Sequence, residues 1–226
     1  MRLKIYLAQL VCALTLLAGV SARGIPNTTL GGNITVPGSQ TYPGPVSLTN
    51  NTTIVSTGGG NITFASTVDG AYNLTISTSG NTALDGKTGG SVALSSLTIT
   101  GAVINLNGGN VTTTGSQIYV GAVTLGNITA LTSGNGGNVN INSTLDGAQP
   151  LQINTTGQTT LGGVTGGSVS LSSLSITGAV INLNGDVYKR QIYMGRHSMA
   201  APMAMARCFR SATLARVLRT YMLFQN

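Results

Sequence analysis

The chain has 226 residues, of which 7% are charged and 4% aromatic, with 32 glycines and a formal net charge of +7. The charge suggests a nucleic-acid partner only until the bases are located. Ten of the eleven Lys and Arg residues lie in 2–23 or 189–219, which leaves Lys87 against Asp69, Asp85 and Asp146 across residues 31–184. Phosphate recognition needs a field of Lys and Arg along one face, so the sequence excludes nucleic-acid binding by that stretch. Cys12 and Cys208 both fall outside it, so it holds no disulfide framework or thiolate metal site.

Residues 1–22 have the order of a secretory signal. Arg2 and Lys4 form a basic start, residues 5–20 an apolar core, and Val20-Ser21-Ala22 a small-residue cleavage site. The apolar run, interrupted by Gln9, is shorter than the roughly 20 residues that span a bilayer. The expectation is export with no stable membrane insertion after cleavage. Residues 23–30 are a lead-in with turn signals at Gly24 and Pro26.

From Gly31 the sequence is a 77-residue unit written twice without a gap, residues 31–107 and 108–184. GGNITVPGSQTYPGPVSL lies on GGNVTTTGSQIYVGAVTL, and TGGSVALSSLTITGAVINLN on TGGSVSLSSLSITGAVINLN; 47 of 77 positions are identical. Such self-similarity marks a repeat architecture. Within each unit, short runs such as Asn61-Ile62-Thr63-Phe64 and Asn73-Leu74-Thr75-Ile76 alternate polar and apolar residues between Gly, Asn, Asp or Ser. That period of two puts apolar side chains on one face of a strand, and no 3.6-residue period competes with it. The unit divides into about four sub-units of 18–20 residues, beginning near Thr53, Tyr72, Val92 and Asn110. Each reads as one coil of a parallel β-helix, whose apolar face is buried only by stacking. Two copies then predict roughly eight coils and a rod on the order of 40 Å. Asn at equivalent corners is expected to form amide ladders. An immunoglobulin-like sandwich is the competing fold, but needs about seven strands per unit; the gapless register favours the all-β solenoid.

Asn-X-Ser/Thr triplets recur, at Asn33, Asn61, Asn73, Asn127 and Asn142 among others, and in so Asn- and Thr-rich a chain they read as composition rather than glycosylation sites. A third copy begins at Gly185 and breaks off. Residues 186–191, DVYKRQ, read as a translated transposase mosaic-end adapter, and beyond them glycine nearly vanishes while five of the six methionines appear. Residues 186–226 therefore read as a chimeric or off-frame tail, whose basic amphipathic stretch, 200–223, has a membrane-binding composition.

The repeats lack the means for catalysis. Acid–base work on a polysaccharide needs convergent carboxylates, or carboxylates with a base, and residues 31–184 contain no Glu, His, Arg or Cys. Asp69 and Asp146 occupy the same repeat position, each in an Asp-Gly pair that reads as a turn. Asp85 becomes Gly162 and Lys87 becomes Val164 in the second copy. The expectation is no catalytic residue, no cofactor site and no metal site. A run such as Thr112-Thr113-Thr114 suggests the alternative of a binding face for ice or carbohydrate surfaces. A further alternative is the non-catalytic part of a polysaccharide-active enzyme.

The patterns G-S-Q-x-Y-x-G-x-V-x-L, G-G-N-I-x-F-x-S-T-V-D-G and T-G-G-S-x-x-L-x-S-L resemble the β-strand repeats of filamentous-haemagglutinin-like adhesins and autotransporter passengers. The resemblance covers residues 31–185. It implies a right-handed parallel β-helix exported by a type V-like route through an outer-membrane translocator. It also implies display on the bacterial cell surface toward a host-cell or surface receptor or glycan. The secretion domain and C-terminal β-barrel of those proteins are not found in these 226 residues.

Overall fold

The computed structural model describes residues 26–187 and 192–194. All strand pairings among them are parallel, joining residues 18 to 23 positions apart. No helix interrupts the described residues. The chain is thus a β-solenoid, as its alternating pattern predicts. The signal peptide, the stretch 200–223 and most of the expected chimeric tail lie outside the described residues. Parallel pairing does continue past residue 185, where Ile192–Met194 runs beside Leu174–Ile176.

Three faces make up each coil. Face I stacks Gln40, Ile62, Thr82, Ile104, Val123, Leu145 and Thr165. Face II stacks Val46, Val68, Thr88, Val111, Leu131, Ile153 and Ile176. Face III stacks Thr52, Leu74, Leu97, Gln117, Val139, Thr159 and Ile181. The chain runs through them in the order I, II, III, about seven times, making a rod of about 34 Å at 4.8 Å per coil.

The sequence repeat does not match a whole number of coils. From Gln40 on face I to its counterpart Gln117 on face III the chain passes eleven sides, or three coils and two sides. The second copy is therefore rotated by one face relative to the first. Ile54, Ile76 and Ile99 line face III, whereas their counterparts Leu131, Ile153 and Ile176 line face II. This corrects the expectation of four coils per copy and eight in all. Sub-units of 18–20 residues are too short, because most coils take 20 to 23. The coil from Leu74 to Leu97 reaches 23 by carrying an outward loop at residues 89–95.

The inward residues form one continuous core. Along face III, Ile54, Ile76, Ile99, Tyr119, Ile141 and Leu161 stack directly and are essentially inaccessible to solvent. On face I, Tyr42 lies stacked on Phe64 with ring centroids 4.8 Å apart. Burial of this kind contributes roughly 1.5–3 kcal/mol per large aliphatic side chain, and here it comes from neighbouring coils rather than from within a coil.

Four threonines break the apolar interior in a regular way. Thr82 and Thr88, and their counterparts Thr159 and Thr165, are fully buried, and their hydroxyls have no hydrogen-bond partner among the described residues. Each stands in a row between aliphatic neighbours, as Thr82 does between Ile62 and Ile104. An unpaired buried hydroxyl costs roughly 1–3 kcal/mol, and valine has nearly the same shape. Each Thr→Val substitution at these positions is expected to stabilise the rod by about 1 kcal/mol. Denaturant midpoints check this: an unchanged or lowered midpoint would show that the hydroxyls are satisfied.

Candidate functional site

Polar side chains at most corners are consumed in joining one coil to the next. The Ser39 hydroxyl accepts from the amide of Asn61, whose own Oδ1 accepts from the amide of Asn81, at 3.0 and 2.9 Å. In the second copy Ser116, Asn138 and Gln158 repeat this at 3.1 and 2.8 Å, on another corner of the rod. Ser56 and Ser133 donate to the carbonyls of Gly38 and Gly115, and Thr78 and Thr155 to those of Gly60 and Gly137. The asparagine ladders are therefore ladders of side-chain oxygen to backbone amide, not the amide-to-amide stacks expected from sequence. An oxygen aimed up the axis satisfies a corner N–H that the sheets leave unpaired.

The carboxylates serve the same end. Asp69 Oδ1 accepts from the amides of Ser91 and Val92 at 2.8 and 3.1 Å, and Asp146 Oδ1 from those of Ser168 and Val169 at 2.9 and 3.1 Å. Each pins the outward loop of the following coil, burying Leu94 or Leu171 and leaving Val92 or Val169 about half exposed. Asp85 accepts from the Asn107 side-chain amide at 2.7 Å. Asp69 and Asp146 lie on different faces, II and I, so the repeat does not bring them together. Asp69→Ala and Asp146→Ala are each expected to cost about 1–2 kcal/mol locally, read as faster hydrogen exchange at Ser91 and Val92, or Ser168 and Val169. Unchanged exchange in either loop would refute the pin.

Thr112-Thr113-Thr114 does not form a hydroxyl surface. Strand alternation turns Thr113 inward, where it is buried and donates to the carbonyl of Gly115. On face III the outward row Thr53, Thr75 and Thr98 is followed by Ile118 and Asn140. Rotation of the second copy breaks any such row, because equivalent residues move to the next face. Among the described residues, no three His, Cys, Asp or Glu side chains gather where they could hold one metal ion.

One surface feature stands apart. Where faces III and I meet, the strands Ser96–Leu106 and Gln117–Leu125 turn the corner without breaking, at Gly101 and Gly121. Gly121 has φ of 145°, and a Cβ there would lie 1.9 Å from the carbonyl oxygen of Gly101. Only glycine permits that approach, and the result is bare backbone along the corner. A shallow open groove of about 640 Å³ follows, flanked by Ser77, Ser79 and Thr100 on one side and Asn142 and Ser143 on the other. Ala102 and Val120, the latter 40% exposed, supply its apolar surface.

Sequence reasoning missed this groove because it straddles the junction of the two copies. Val120 and Asn142 stand where the first copy has Pro43 and Ala65. The one signal was the pair of glycines 20 residues apart, which gains meaning only once the coil length is known.

Comparison with known protein families, curated proteins and solved structures gives no match.

Proposed function

We propose that this chain is a rigid structural spacer from a secreted bacterial surface adhesin and carries no catalysis itself. The observation that carries the reading is the uninterrupted three-faced stack, in which nearly every corner polar group is used to fasten coil to coil. A side-chain inventory spent on cohesion suits a stalk better than an active site. The signal-like residues 1–22 and the resemblance to filamentous-haemagglutinin-like repeats favour export and display at the outer membrane. The partners in this reading are a translocator during export and a receptor or glycan at the surface.

A spacer extends in proportion to its repeats. Inserting one further copy of residues 108–184 after residue 184 should lengthen the particle by about 18 Å, three and two-thirds coils, at constant cross-section. Small-angle scattering on chains with none, one and two inserted copies measures this. Growth in cross-section instead of length would end the spacer reading. In a Gram-negative host, a chain that stays cytoplasmic with residues 1–22 present would end the export reading separately.

A further inference from the structure

We infer that the groove at the corner of faces III and I is a binding site for a neutral oligosaccharide lying along the rod axis. Its polar groups are in an unusual state for this molecule. Ser39, Asn61, Ser116 and Asn138 at other corners all bond the next coil. The side chains of Ser77, Ser79, Thr100, Asn142 and Ser143 make no hydrogen bond among the described residues. They belong to four successive coils and face one another across the glycine floor, so their free donors and acceptors run in two rows at the 4.8 Å coil spacing.

The chemistry of the lining selects the ligand. No ionisable group borders the groove, so nothing there compensates a phosphate, sulfate or uronate. Hydroxyls and one carboxamide both donate and accept, matching sugar hydroxyls. Val120 and Ala102 offer apolar contact for the C–H face of a pyranose ring. A peptide suits the site less well. Strand addition needs an open sheet edge, and the strands beneath the groove are paired on both sides. Nor is there a deep pocket for an anchoring side chain. With no aromatic platform in the groove, the expected dissociation constant is on the order of a millimolar.

The inference is independent of surface display, since a soluble or a tethered rod would carry the same groove. The test is ligand-observed NMR on the full chain with cellohexaose, maltohexaose, laminarihexaose and chitohexaose, and with hexagalacturonate as the charged comparison. At least one neutral hexasaccharide should bind, and Val120→Glu should weaken it by about tenfold or more, since it places a charge against the apolar contact. Ile128→Glu, at a 64% exposed position elsewhere on the rod, should leave binding unchanged. Should Val120→Glu fail to fold, the double variant Thr100→Ala, Asn142→Ala, which alters only exposed side chains, serves in its place. No binding by any neutral sugar at about 5 mM, equal binding of hexagalacturonate, or indifference to the groove substitutions would each overturn the site. Failure here would leave the linear growth of the rod with inserted copies untouched.

Discussion

Gly121→Ala is expected to destabilise the chain by about 3–5 kcal/mol, far more than a surface glycine normally contributes. The added methyl would sit 1.9 Å from the carbonyl oxygen of Gly101, with that of Ala102 at 3.5 Å. Both obstacles are backbone and cannot swing aside, so the two coils must part to admit it. The φ of 145° adds strain, because an L-residue avoids that region. Two comparisons separate these effects. Gly136 has φ of 73° with no atom near its Cβ position, and Gly38 has neither positive φ nor a neighbour. Gly136→Ala should then cost about 1 kcal/mol, and Gly38→Ala less than about 0.5 kcal/mol. Chemical denaturation of the three variants is the measurement. A small effect at Gly121 would mean that neighbouring coils slide apart easily, and the rod would not be stiff.

That stiffness has a consequence for how the repeat displays its surface. A feature carried by every copy does not recur on one face. It returns about 18 Å along the axis and one face round, as Val92 and Val169 already do. A rod built this way offers no flat lattice of identical groups to an extended crystalline surface. It offers discrete spots, and the junction groove is one.

The all-β solenoid was legible in the sequence because inward residues must be apolar in every coil, and the period-two runs record that directly. Ile54, Ile76 and Ile99 could be assigned to the core from alternation alone. The coil length was not legible. A 77-residue identity measures the period of the gene, and the period of the structure differs from it by a third of a coil. Asp69 read correctly as a turn residue, yet the amides it accepts from, at Ser91 and Val92, lie one coil away. The partners of any corner residue depend on which residue stacks above it. For the same reason the groove, which needs residues from both copies at one corner, could not be found from either copy by itself.

Gln117 and Tyr119 supply the other large effect, and here hydrogen bonding rather than packing decides it. Both side chains are completely buried. Gln117 Nε2 donates to the carbonyl of Thr132 at 2.8 Å, with the Val111 carbonyl and Thr113 hydroxyl at 3.2 Å. Its Oε1 accepts from the Tyr119 hydroxyl at 2.9 Å. Gln117→Leu keeps the bulk but orphans the phenol and its other partners, for an expected loss of about 3 kcal/mol. Tyr119→Phe strands only Oε1 and should lose about 1–2 kcal/mol. The double variant removes donor and acceptor together, so it should cost less than the sum by at least about 1 kcal/mol. A pH series gives an independent reading. Burial pushes the Tyr119 phenol well above its ordinary value, so the folded chain holds this proton where the unfolded chain releases it. The stability owed to that difference is fully present below about pH 10 and falls by up to about 1.4 kcal/mol per pH unit above it. Tyr119→Phe should therefore be less stable than the parent at pH 7, and the gap should narrow as the pH rises past 10. A gap that stays constant would place the phenol in contact with water and remove the basis for the coupling.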